Sequence, residues 1–206
     1  MKFVKVLSVL SLGSILSASL VGNVDATSKQ TALSQQQKNA YYEQYLLTVK
    51  KINKSTSTSL LEVAPKKSFK ESDWITPKRF KEIAEKRINA KFEQSNNVSM
   101  KMSADTAKKT KTIKSNGISV NIAITGDFNT EYRSSAKRQV FSGINSIRST
   151  DTSSKGTWKQ TGYTANLIDA AKTYDITVGG KYTQNGLTSS HNISVEFYCS
   201  TTGGVS

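Results

Sequence analysis

The chain is poor in the residues that build covalent and metal cross-links: 206 residues hold one cysteine, one histidine and two prolines. One cysteine cannot form an intramolecular disulfide. One Cys with one His falls short of the four N or S ligands of a structural zinc site. Disulfide scaffolds, zinc fingers and iron–sulfur clusters are therefore excluded. Acidic residues are also scarce, with 15 Asp and Glu against 29 Lys and Arg and a formal net charge of +14. Aromatic residues make up 8% and hydrophobic residues 36%, which predicts a modest core with polar extensions. At roughly 150 residues per domain, the length suits one domain or two small ones.

What the sequence does contain begins with an export signal. Lys2 and Lys5 precede an apolar run, Val6 to Val21, broken only by Gly and Ser, and Val24-Asp25-Ala26 places small residues where signal peptidase reads. Residues 1–26 are read as a signal peptide, cut after Ala26. The run is shorter than the roughly 20 apolar residues of a spanning helix, and no later stretch approaches that length. The mature chain is expected outside the cell or on the cell wall, with no transmembrane segment.

Charge divides the mature chain unevenly. Residues 27–116 hold 19 basic and 8 acidic groups, net +11, and residues 117–206 hold 8 and 6, net +2. Such asymmetry marks two functional parts.

The basic half has helical periodicity. Ser34 with Gln37 resembles a capping box, and Tyr41, Tyr45, Val49 and Ile52 then recur on one helix face, with an end expected near Asn53. Thr76 as N-cap and Pro77 at the first helical position open a second helix. Phe80, Ile83, Ala84, Ile88 and Phe92 form its apolar stripe, which predicts a helix over about 77–94. Residues 27–95 are thus a basic helical region. Residues 96–116, rich in lysine and poor in apolar groups, are expected as a polar basic linker or an extended cover strand.

After Gly117 the period changes from 3.6 to 2. Ile118, Val120, Ile122 and Ile124 alternate with small or polar residues, as do Tyr174, Ile176 and Val178. Gly179-Gly180 suggests a bulge, and Asn185-Gly186 is a hairpin turn signal. Ile193, Val195, Phe197 and Cys199 make the apolar face of a closing strand. Another strand is expected around Trp158 to Tyr163. Val140, Ile144 and Ile147 have helical spacing, but Gly143 and the Ser/Thr density favour strand or irregular structure. The expected fold is α+β: an N-terminal segment of two helices, then an antiparallel β-sheet or small β-sandwich over residues 117–206, with five to seven strands.

The inventory assembles no catalytic site. On an extended strand, eight residues separate His191 from Cys199 by roughly 26 Å, whereas a dyad needs contact. Cys199 continues an apolar stripe and is expected in the core. His191 beside Asn192 is expected at a strand edge, solvated or singly hydrogen-bonded, without a nucleophile elbow of the Gly-x-Ser-x-Gly type to serve. Glu196 and Asp175 sit opposite core positions of their strands, which leaves no obvious acid pair for glycoside cleavage. No metal ligands, cofactor or nucleic-acid partner are expected, because secretion removes nucleic acid and most cations are point-charge lysines. One cluster invites a ligand: Lys78, Arg79 and Lys81 lie in the first turn after Pro77, where cations and free helix N–H groups converge on an anion, unless Glu71 and Asp73 fold back to offset them.

These residues lead to a secreted, non-enzymatic protein whose basic helical half associates with anionic cell-wall or surface polymers. The alternative is a membrane-acting protein, antimicrobial or pore-forming, that uses its Ser/Thr-rich β part; against it, the alternating segments read as too short to span. In its signal peptide, Trp74-Ile-Thr-Pro77 and Glu196-Phe-Tyr-Cys199, the chain loosely resembles small secreted proteins of Gram-positive bacteria that carry no assigned activity. That resemblance implies no site residues.

Overall fold

The computed structural model describes residues 32–56, 60–93, 100–101, 106–115 and 118–206. The proposed signal peptide lies outside them. Helix α1 spans Gln35–Thr56 and opens as its sequence predicts. The Ser34 N–H donates to Gln37 Oε1 at 2.8 Å, and the Gln37 N–H donates to Ser34 Oγ at 3.2 Å, so two donors that the helix leaves unpaired satisfy each other's residues. Tyr45, Val49 and Ile52 are buried along one face. The helix continues one turn past Asn53, whose side chain donates to Leu61 O and accepts from the Leu61 N–H.

Helix α2, Pro77–Ile88, is shorter than its apolar stripe predicted. Asn89 stops it by donating through Nδ2 to Glu85 O at 3.0 Å, occupying a carbonyl that the next turn would need. Phe92, expected on the helix, lies instead on the strand Lys91–Glu93, opposite Ile113.

Among the described residues, nine strands follow one antiparallel plan. One sheet has the order β1 (Leu61–Val63), β9 (Leu187–Tyr198), β8 (Thr173–Gln184), β7 (Thr157–Ile168). The other has the order β2 (Lys91–Glu93), β4 (Thr106–Ser115), β5 (Ile118–Arg133), β6 (Arg138–Asp151), with β3 (Met100–Lys101) also paired to β4. The segment expected as a linker or cover strand therefore contributes β4, paired with β5 from Thr106↔Asp127 to Ser115↔Ile118. Its order comes from backbone hydrogen bonds, which a count of apolar side chains does not register.

The strands are also longer than expected, 16 residues in β5, 14 in β6 and 12 in each of β7, β8 and β9. In β6 the register shifts at Asp127/Phe128 and at Asn129/Thr130. Each shift adds one residue to β6, so Ile144 and Ile147 join Phe141 at the main core in three-residue steps, while Val140, counted with them in the sequence, is buried outside that cluster. Two bulges on a strand thus imitate helical spacing. Asn185 and Gly186, with φ of 52° and 68°, make the two-residue turn between β8 and β9 that their sequence predicts. The Phe69 ring lies where a Cβ of Gly186 would stand, so this glycine supplies both a left-handed backbone and room.

The two sheets share one core. Val120, Ile122, Ile124 and Phe128 of β5 meet Ile176 and Val178 of β8 and Ile193, Val195 and Phe197 of β9. A second core joins the helices to the sheet: Tyr45, Val49 and Ile52 of α1 pack with Trp74, Phe80, Ile83, Leu61 and Leu187. Tyr45 and Phe80 stack at 4.0 Å between ring centroids. The Tyr45 hydroxyl donates to Ile75 O, which satisfies the polar end of a buried ring. Residues 32–206 form one compact unit.

Cys199 is buried just beyond β9 and forms an isolated bridge with Val205. Its replacement by alanine should cost about 1 kcal/mol, the loss of a small buried group. Denaturant unfolding measures that cost, and in native protein the thiol should react with a maleimide probe far more slowly than in denaturant.

Candidate functional site

The first turn of α2 is capped by Thr76, whose Oγ1 accepts from the Arg79 N–H at 3.3 Å. Lys78, Arg79 and Lys81 are all exposed around it. Glu71 and Asp73 do not fold back on them: Glu71 pairs with Lys38 at 2.6 Å, and Asp73 accepts from the Lys70 N–H at 2.8 Å. The helix supplies its own acids one turn on, Glu82 to Arg79 at 3.1 Å and Glu85 to Lys81 at 3.7 Å. Exposed pairs of this kind contribute up to about 1 kcal/mol. Three cations against two acids leave the turn positive.

The other end of the same helix holds a buried cation. Arg87 falls on the stripe of Phe80, Ile83 and Ala84 and is 3% exposed. Nη1 donates to Ser189 Oγ at 3.3 Å, Nη2 donates to Gln184 Oε1 at 3.1 Å, and the guanidinium lies 4.8 Å from the centroid of the Tyr182 ring. Every one of these partners is neutral. Nε is buried with no hydrogen-bond acceptor, and no carboxylate among the described residues pairs with the group. Burial pulls the Arg87 pKa below the usual guanidinium value. The same burial, relieved only in part by the nearby Arg87, pushes the Tyr182 hydroxyl up to about 12.

The Ser189 hydroxyl extends the chain of contacts to His191, 2.7 Å from Oγ to Nε2. A hydroxyl carries one proton and two lone pairs, so Ser189 Oγ accepts from Arg87 and still serves the imidazole nitrogen in either tautomer. Burial first, and then the Arg87 charge, lower the imidazole pKa to about 4. So weak a base beside a hydroxyl that is 1% exposed and already engaged by a guanidinium is poorly suited to activate a nucleophile. Of the two states expected for His191 the structure shows the hydrogen-bonded one: its parity places it half-buried on the same side of β9 as Leu187 and Ile193.

A cavity of about 540 Å³ adjoins this group, lined by Leu60, Leu61, Arg87, Ile88, Ser189, His191 and further residues of β9. Arg87 was the functional candidate that sequence reasoning passed over. Its signal was available in the pattern: a lone arginine on an otherwise apolar helical stripe. Ser189 and His191 are two apart on one strand and share a face for that reason, but only the docking of α2 supplies the cation between them. Among the described residues, no three His, Cys, Asp or Glu side chains come together as a metal site, and no helix is long and apolar enough to cross a membrane. Comparison with protein-family models, with curated proteins and with solved structures found no significant match to this chain.

Proposed function

We propose that the protein is a secreted, non-enzymatic factor that anionic polymers of the cell envelope retain through its basic helical half. The observation that carries this reading is the charge division, net +11 over residues 27–116 against +2 over residues 117–206. The cations concerned face solvent: Lys50, Lys51, Lys54, Lys67, Lys70, Lys78, Arg79 and Lys81 are all exposed. A polyanion gains many weak contacts on such a surface, and each is screened by salt.

Binding of the full chain to isolated anionic envelope polymer should therefore fall steeply between about 0.05 and 0.5 M salt, where the screening length shrinks about threefold. Reversing Lys78, Arg79 and Lys81 to Glu should lower the eluting salt concentration more than reversing Lys137, Lys155 and Lys172 of the β half, although the charge change is the same. Salt-independent binding would sink the electrostatic mechanism. Equal losses from both triple variants would reduce it to net charge alone.

One observation favours the membrane-acting alternative. Strands of 12–16 residues exceed the 9–11 or so that cross a bilayer, which removes the objection from strand length. Against it, Phe128, Ile176 and Phe197 are fully buried between the sheets, and a spanning barrel would have to expose them. Release of dye from anionic vesicles at salt concentrations that block polymer binding would favour the alternative.

A further inference from the structure

We propose that the cavity between the end of α2, Leu60–Leu61 and β9 binds a small ligand through one oxyanion group, a carboxylate or a phosphate, with Arg87 as its counter-ion. This goes beyond the envelope-retention reading and does not depend on it. The argument begins with an unbalanced charge. Arg87 is almost wholly buried, and the groups that hold it, Ser189, Gln184 and the Tyr182 ring, are all neutral. A buried ion normally has a partner, because desolvation costs several kcal/mol per charge. The last turn of α2 offers the negative end of a helix dipole, worth about half a charge, and among the described residues no carboxylate pairs with the guanidinium to offset the rest. One guanidinium donor, Nε–H, also has no acceptor.

The cavity supplies what an occupant would need. Its volume of about 540 Å³ lies in the range of small-molecule sites, roughly 300–1,000 Å³. Its lining mixes the Arg87 cation and polar residues of β9, Ser189 and His191 among them, with the apolar Leu60, Leu61, Ile88 and Ile193. A mixed lining with a single cation fits a small ligand that carries one anionic group. A guanidinium fork matches the planar geometry of a carboxylate or two oxygens of a phosphate, which a lysine could not do. The site differs in kind from the Lys78–Lys81 turn, where every cation is exposed.

His191 is the only histidine in the chain and lines the cavity, so its imidazole resonances report on the site without overlap. Inorganic phosphate and, separately, hexanoate would be titrated into the full chain at constant ionic strength while those resonances are followed by NMR. At least one probe should give a saturable shift. Arg87→Met should weaken that binding at least about tenfold, and Lys172→Gln, exposed and remote from the cavity, should leave it unchanged. A response to phosphate alone would assign a phosphate-bearing ligand, and a response to hexanoate alone a carboxylate with an apolar body. If Arg87→Met does not fold, Ser189→Ala replaces it and should weaken binding severalfold. Absence of a saturable shift with either probe, or an affinity unchanged in the folded Arg87 or Ser189 variant, would overturn the proposal.

Discussion

Replacing Phe128 with alanine should destabilise the protein by about 3–5 kcal/mol, the cost of removing a buried aromatic ring and leaving its volume only partly refilled. Phe128 is fully buried and holds the two sheets together. Its ring centroid lies 5.0 Å from Phe141 in its own sheet and 4.9 Å from Phe197 in the other, with Tyr174 at 5.7 Å. It also covers Gly126, whose missing side chain leaves the space that the ring occupies. Little nearby can collapse into the gap, because the neighbours are rings fixed by one another. Guanidinium unfolding should show the whole loss in the midpoint. Leu47→Ala on α1, 65% exposed, should change stability by less than about 0.5 kcal/mol. A Phe128→Ala cost under about 1 kcal/mol would mean that the two sheets do not share this core.

The second large effect concerns acid. In the folded chain the His191 pKa is lowered to about 4 from the ordinary 6.5. The unfolded chain therefore binds a proton on His191 over that interval while the folded chain refuses it. Stability falls with falling pH wherever the unfolded state binds more protons. The contribution of the neutral, half-buried imidazole is thus fully present above about pH 6.5 and is lost progressively as pH drops toward 4. At about 1.4 kcal/mol per unit, the full loss is roughly 3 kcal/mol. His191→Gln keeps a polar side chain that does not titrate, so the variant should lack this slope and match the parent more closely at pH 4.5 than at pH 7.5. Parallel stability profiles for the two proteins between pH 7 and 4 would show that the folded imidazole titrates normally.

Much of this architecture could be read from spacing alone. The stripes at Tyr45, Val49 and Ile52 and at Phe80, Ile83 and Ala84 announce two amphipathic helices, because burial on a helix requires that period. The alternation at Ile176 and Val178 and at Ile193, Val195 and Phe197 announces strands, and Asn185-Gly186 joins them. Other parts were hidden for definite reasons. The bulges of β6 are set by its pairing with β5, so Phe141, Ile144 and Ile147 carry a helical rhythm on an extended chain. The end of α2 depends on one side-chain bond from Asn89, which apolar counting ignores. Of the candidate sites, the exposed Lys78 turn was visible as charge. Of the Arg87 site only the arginine itself was legible, as a lone cation on an apolar helical stripe; its partners Ser189 and Gln184 lie about a hundred positions away and meet it only across the fold.

The pairing of β1 with β9 bears on the order in which the chain is made. Leu61 faces Ser189, the Ala64 N–H donates to Gly186 O, and Arg87 reaches a serine 102 positions further along. Both helices leave the ribosome long before the strand on which they dock. Until Leu187 arrives, Tyr45 and Phe80 lack the residue that completes their core, and the sheet core lacks its Phe197 edge. Contacts this distant close late, because the loop must lose its freedom before any of them is rewarded. A nascent chain short of β9 is therefore an open one. The core that joins the helices to the sheet therefore closes only once β9 has been made.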